Sequence, residues 1–178
     1  MRNLLHDTID EFLQIDDLKL CLNPSEIYKS WINKLESDTG KASGYPYDVS
    51  NQKALEYEQV RRQLDDNIRT VKYHTSKFLN LILSSLNKLP FGLRYVAKVL
   101  RNSLRVKFPA ATEREILKIV GNLVYYRFIN SAICSPDAYD IIDVKVGSML
   151  DTDQRKNLAC IAKHLQLISM SKGVRVLF

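Results

Sequence analysis

A long apolar stripe runs through the middle of the chain and constrains it more than any other feature. Leu64, Ile68, Val71, Thr75, Phe78, Ile82, Leu86 and Leu89 follow one another at steps of three and four residues. At 3.6 residues per turn that spacing keeps all eight on one helix face, whereas a strand would alternate them between two faces. A helix of this kind is stable only when its stripe is covered, so the chain must supply other amphipathic helices to cover it. Pro90 with Gly92 breaks the pattern. Only 6 Gly and 5 Pro occur in 178 residues, so turns are few and elements long. The predicted fold class is all-α.

The partner helices are legible from their periodicity and end signals. Residues 3–15 place Leu5, Ile9, Phe12 and Leu13 on one face. Asn23-Pro24-Ser25-Glu26 reads as a helix start, with Asn23 as cap and Pro24 in the first turn. That helix runs to about Ser37 with Ile27, Trp31 and Leu35 inward, and a loop over 38–50 contains Gly40, Gly44 and Pro46. A short helix over Gln52–Val60 precedes the long one. Residues 93–107 form a further helix. Thr112-Glu113-Arg114-Glu115 is a capping box that opens another, reaching about Ile129. A connector with Ser135-Pro136-Asp137 and Gly147 occupies 134–150. Asp151-Thr152-Asp153-Gln154 starts the last helix, with Leu158, Ile161, Leu165 and Ile168 inward, and Lys172–Phe178 carries no pattern.

Composition excludes several classes. At 46% hydrophobic and 26% charged the chain reads as globular, with length for one domain and its own core. Cys21, Cys134 and Cys160 are far apart and lack metal-ligand spacing, as do His6, His74 and His164. The odd cysteine count, with no signal peptide in view, predicts reduced thiols and a cytoplasmic setting. No apolar run reaches the roughly 20 residues that span a bilayer. Ser135 lacks a Gly-x-Ser-x-Gly setting and no Gly-rich loop is present to cradle a phosphate, so neither an enzyme with its own nucleophile nor a cofactor is expected.

The charge is uneven. Residues 1–90 carry 12 Lys/Arg against 13 Asp/Glu, and residues 91–178 carry 14 against 7. Arg94, Lys98, Arg101 and Arg105 step by 4, 3 and 4 along one helix, with Lys107 nearby and no acid from 91 to 112, while Val96, Leu100 and Leu104 lie mostly on another face. The stripe reads either as a surface for an acidic partner or as a solvated helix face. It has no interleaved aromatics, and the chain contains no recognised nucleic-acid module, so nucleic acid is not an expected partner. Arg127 lies inside the apolar run Tyr125-Tyr126-Arg127-Phe128-Ile129. A guanidinium buried there would organise backbone carbonyls or a partner's polar groups. Alternatively it snorkels to solvent or pairs with an acid.

The segment Tyr125–Ala132 resembles the Phe-Leu-Arg-Phe-x-Asn-Pro-Ala signature of Ras GTPase-activating domains. Ile27-Tyr28-Lys29-Ser30-Trp31, Pro46–Val49, Arg94–Leu100, Gly121–Arg127, Pro136–Asp143 and Thr152–Leu158 narrow the resemblance to the IQGAP branch, over residues 1 to about 172. The resemblance implies an elongated all-helical bundle of the RasGAP type, truncated here, with residues 1–172 as a partial domain and 173–178 as an unpatterned tail. It implies a groove for the switch regions of a GTP-bound small GTPase. Arg127 matches the signature arginine, which steadies the loop bearing the arginine finger, and Asn130 the signature asparagine. Ser131 stands where the family has proline, which predicts a looser helix exit. Lys163 and Gln166 match an Ala-Lys-x-x-Gln segment that lines the groove, and Leu167 departs from the asparagine common there. The finger loop is expected upstream of residue 1. IQGAP-type domains, by the same resemblance, bind GTP-loaded Rho-family GTPases of the Rac and Cdc type without speeding hydrolysis. They act as effectors toward actin at the cell cortex, junctions or division ring, and meet actin and calmodulin through other regions of a longer parent. Two alternatives stand beside this expectation: part of a true Ras-activating domain, and a helical structural segment with no GTPase contact of its own.

Overall fold

The computed structural model describes residues 2–143 and 150–171, and every regular element among them is helical. The chain divides into two compact units, residues 19–73 and residues 1–18 together with 74–178. The predicted Gly147 and the tail from Lys172, with Arg175, lie outside the described residues.

In the unit 19–73, helix α2 (Pro24–Thr39) begins where Asn23 predicts. The Asn23 side chain accepts from the Ser25 N–H at 3.2 Å, and Asn51 Oδ1 accepts from the same N–H at 3.1 Å. The helix closes on Gly40, whose φ of 65° lies in the left-handed region that glycine enters without a Cβ penalty. Ile27, Tyr28 and Ile32 form the core with Ala54 and Val60, while Trp31 is only partly buried. The inward face is therefore turned by about 40° from the predicted Ile27–Trp31–Leu35 line. Tyr28 causes this. Its ring packs 4.9 Å from that of Tyr57, and its hydroxyl donates to the Pro46 carbonyl at 2.9 Å, which fastens the 40–50 loop. The predicted helix over 52–60 is a single turn, α3 (Asn51–Ala54), and a new helix, α4 (Glu58–Ser84), follows it. Arg61 Nη1 donates to the Leu55 and Glu56 carbonyls at 2.6 and 2.9 Å, so those groups are satisfied outside a continuous helix.

In the other unit, α1 (Arg2–Leu13) buries Leu4, Leu5, Ile9 and Phe12. Phe12 meets His74 and Phe78 edge-on, with centroids 4.9 and 6.0 Å apart. The part of the long stripe that lies in this unit is buried at Thr75, Phe78, Ile82 and Leu89. Regular α-helix nevertheless stops at Ser84, and Leu86–Lys88 is a tighter 3-10 turn. That turn ends where Pro90 disfavours helical dihedrals at the residue before it, and Leu89 sits at φ −59°, ψ 142°.

Helix α5 (Phe91–Lys107) packs on α6 (Glu113–Val124). Both bonds of the Thr112–Glu115 capping box form. Arg101 and Arg105 converge on the two carboxylate oxygens of Glu113 and clamp the helices together. After a wide turn at Tyr125–Ile129, α7 (Asn130–Cys134) ends before Pro136. Helix α8 (Thr152–Ser171) starts with a reciprocal cap. The Gln154 N–H donates to Asp151 Oδ1 at 2.7 Å, and the Asp151 N–H donates to Gln154 Oε1 at 3.1 Å. Leu158, Ile161, Ala162 and Leu165 are its buried face. Asn157 donates to the Leu18 carbonyl at 2.6 Å, and Arg155 Nη2 donates to Asp137 Oδ2 at 2.7 Å.

Two outcomes test this account. Thr112→Ala removes the side-chain acceptor for the Glu115 N–H and should cost about 1 kcal/mol, lowering Tm by about 2–4 °C. Thermal melts of parent and variant read this directly. The Arg155 guanidinium holds the Asp137 carboxyl below the usual carboxylate range. A depressed folded-state pKa contributes stability above the unfolded value near pH 4, and that stability is lost as pH falls through the folded value. Asp137→Asn should therefore lower Tm at neutral pH, with the gap to the parent closing below about pH 4.

Candidate functional site: the wide turn and helix α8

Helix α6 buries Ile116, Val120 and Val124, then Tyr125 directly after Val124. In a regular helix continued at 100° per residue, Tyr125 would lie about 140° from the middle of the Ile116–Val120–Val124 line, away from the core. The backbone accommodates it by widening: the Asn130 N–H bonds to the Tyr125 carbonyl, five residues back. Such π-helical turns concentrate at functional positions. The next buried residue is Ile129. Between these two anchors, Tyr126, Arg127 and Phe128 all face outward.

Tyr125 fixes where this turn sits. Its ring is buried, and its hydroxyl donates to the Ala162 carbonyl of α8 at 2.7 Å. Burial pushes the hydroxyl pKa up, so the group stays a proton donor. The bond sets the outward turn alongside the α8 segment that starts at Ala162. There Lys163 and Leu167 are exposed and Gln166 is half-buried. Asn130 and Ser131 are half-buried at the start of α7. The turn that carries Arg127, and helix α7 that starts at Asn130, both pack on α8, the helix that carries Lys163 and Gln166.

Two expectations are corrected. Arg127 is not lodged in the core: it is exposed, and its guanidinium carbon lies 5.9 Å from the centroid of the Tyr126 ring. The wide turn rotates it out, and the buried positions go to Tyr125 and Ile129, so no charge is desolvated. The exit expected to loosen at Ser131 is helical. Its carbonyl accepts from the Ser135 N–H at 3.0 Å, and the chain leaves the helix only after Cys134.

The basic stripe is not one uniform surface. Arg94 and Lys98 are exposed, whereas Arg101 and Arg105 are engaged by Glu113, whose carboxyl they hold below its ordinary range. Val96, expected on another face than the charges, is also exposed. Glu113 opens α6 and Arg127 follows its end, so the Arg101–Arg105 end of the stripe and the wide turn stand roughly 20 Å apart along the helix axis. The eight candidate residues therefore fall into two groups. Tyr126, Phe128 and Leu167 join the second as exposed large side chains. Sequence gave a partial sign of them in the Tyr-Tyr-Arg-Phe run, without telling the core tyrosine from the outer one.

Among the described residues, no cluster of His, Cys, Asp or Glu could hold a metal ion, and no helix is long and apolar enough to cross a membrane.

The profile of the RasGAP family, GTPase-activator protein for Ras-like GTPase, matches residues 1–170. The chain is 49% identical over 97% of its length to Ras GTPase-activating-like protein IQGAP2 of Homo sapiens and 42% identical over 97% to the human protein IQGAP3. It is 36% identical over 85% of its length to Ras GTPase-activating-like protein rgaA of Dictyostelium discoideum. It spans 11% of the length of each of the two human proteins and 18% of the Dictyostelium one. With its all-helical fold and its signature turn seated on α8, the chain belongs to the RasGAP family, as a RasGAP-like domain of the IQGAP type.

Proposed function

We propose that the wide turn and the adjoining α8 segment form a contact surface for the switch regions of a GTP-loaded small GTPase of the Rho family, Rac or Cdc type. On this reading the chain acts as an effector and leaves hydrolysis at its intrinsic rate. The observation that carries the reading is the exposed Tyr126-Arg127-Phe128 triplet, on a turn that the Tyr125–Ala162 bond ties to α8. A rigid base with an arginine and two aromatic rings has the composition of an interface centre. Arg127 and Lys163 supply positive charge, and Asn130 and Gln166 supply hydrogen-bonding groups at the edge. Arg94 and Lys98 add steering charge from a distance, and Arg101 and Arg105 contribute less because Glu113 neutralises part of their field.

The effector reading, with no rate enhancement, has support in the same geometry. An activating arginine must project from a loop into the nucleotide site, where it is worth roughly 10³–10⁵ in rate. Arg127 is held on a helical turn, and Arg155 is engaged by Asp137. The work of such an effector is cytoplasmic, at the cortex, junctions or division ring, where Rho-type GTPases signal to actin.

The test measures binding of the 178-residue chain to Rac- and Cdc-type GTPases carrying a slowly hydrolysed GTP analogue or GDP. Arg127→Ala with Lys163→Ala should weaken binding to the GTP form by at least about tenfold. Single-turnover hydrolysis should stay within about twofold of the GTPase alone, far from the roughly 10³-fold of an activator. Equal binding of both nucleotide states, or an unaffected double variant, overturns the site. Rapid hydrolysis overturns the effector role in favour of a Ras-type activator.

A further inference from the structure

Helix α5 has three faces, and the fold uses only one. Leu93 and Ala97 are buried, with Leu100 and Leu104 half-buried along the same line. At 100° per residue, Phe91, Tyr95, Val99 and Val106 share a second face within about 80° of arc. All four are exposed, Phe91 at 75% and Val106 at 83%. Phe91 and Tyr95 stack on one another with centroids 6.2 Å apart, and Phe108 is exposed just beyond the helix end. The third face is the basic stripe, which borders the apolar one directly through Arg94 and Lys98.

Charge indicates what this surface meets. Residues 88–118 hold eight Lys/Arg against two Glu, a net of +6 that equals the net charge of the whole chain. One of those acids, Glu113, is held by Arg101 and Arg105, and the other, Glu115, by the Thr112 cap. The monopole of the molecule is thus gathered on α5 and its ends, around an apolar crest that faces outward. A protein groove that recognises a helix reads a specific order of charges and pockets. A crest of Phe, Tyr and Val with a border of one sign instead matches an anionic bilayer: the border meets lipid headgroups and the crest enters the acyl boundary.

We infer that the exposed face of α5, centred on Phe91, Tyr95, Val99 and Val106 and bordered by Arg94 and Lys98, is a peripheral docking surface for an anionic membrane. It is separate from the wide turn and does not depend on the GTPase reading. A GTPase partner and a membrane are then engaged by different parts of the same unit.

Sedimentation of the 178-residue chain with lipid vesicles tests this. Vesicles containing about 30% phosphatidylserine should carry the chain down at about 0.05 M salt and release most of it by about 0.5 M, and phosphatidylcholine vesicles should not carry it. Each basic residue at such a surface is worth about fivefold in partitioning, so Arg94→Gln with Lys98→Gln should weaken binding roughly 25-fold. Phe91→Ser with Val106→Ser should also weaken it while leaving the net charge unchanged. Those exposed positions can be altered without opening the core, and circular dichroism checks the fold. Arg127→Ala with Lys163→Ala should retain the larger part of vesicle binding, which separates this surface from the GTPase site. The inference is overturned by no binding to phosphatidylserine vesicles at low salt, or by binding indifferent to Phe91→Ser with Val106→Ser. It is equally overturned if these substitutions abolish only self-association in sedimentation velocity, or only capture of an acidic amphipathic peptide.

Discussion

One buried hydrogen bond, from the Tyr125 hydroxyl to the Ala162 carbonyl, determines where the candidate surface lies. A phenol hydroxyl in an apolar interior costs roughly 1–3 kcal/mol if left unpaired, so the ring cannot slide along α8 freely. The carbonyl it uses has a second lone pair even while serving the α8 helix ladder. Tyr125 lies off the line of Ile116, Val120 and Val124, the backbone widens where it turns inward, and the next three side chains face out. Packing, register and exposure at the signature turn thus follow from a single aromatic residue.

Most of the helical plan can be read from end signals and periodicity, since those are local. Thr112 with Glu115, Asn23 with Pro24, and Asp151 with Gln154 each fix a helix start through a backbone N–H that only a nearby side chain can satisfy. The failures are non-local. The turned face of α2 depends on a hydroxyl reaching Pro46, 18 residues on. The break before Glu58 depends on Arg61 folding back onto Leu55 and Glu56. The early end of α4 at Ser84 is hidden in another way, because the apolar stripe runs on past it to Leu89. A stripe records which residues are buried, and Leu89 is buried without being in regular α-helix.

The site was legible in its residues and not in its geometry. Arg127, Asn130, Lys163 and Gln166 can be singled out by the resemblance, yet an arginine in an apolar run reads as buried when the helix is assumed regular. A one-residue widening reverses that conclusion, and no periodicity argument with a fixed 3.6 repeat can find it. The basic stripe shows the complementary lesson. Its four charges look equivalent at their spacing, but Glu113 sits across from two of them. One carboxylate shared by two guanidiniums lets α5 tolerate like charges at i,i+4 while it holds α5 to α6.

The division of labour within this unit follows from where its charges are satisfied. Where a cation has an internal partner, as Arg101, Arg105 and Arg155 do, it holds elements together and its field is reduced. Where it lies beside exposed aromatic groups, as Arg127 does at Tyr126 and Phe128 and Arg94 does between Phe91 and Tyr95, structural need does not explain it. An aromatic ring left in water gives up the burial that would favour it inside, at about 25 cal/mol per Å² of apolar area. Two such places on one small unit, each pairing rings with unspent positive charge, are best understood as surfaces whose favourable contacts are made with other molecules.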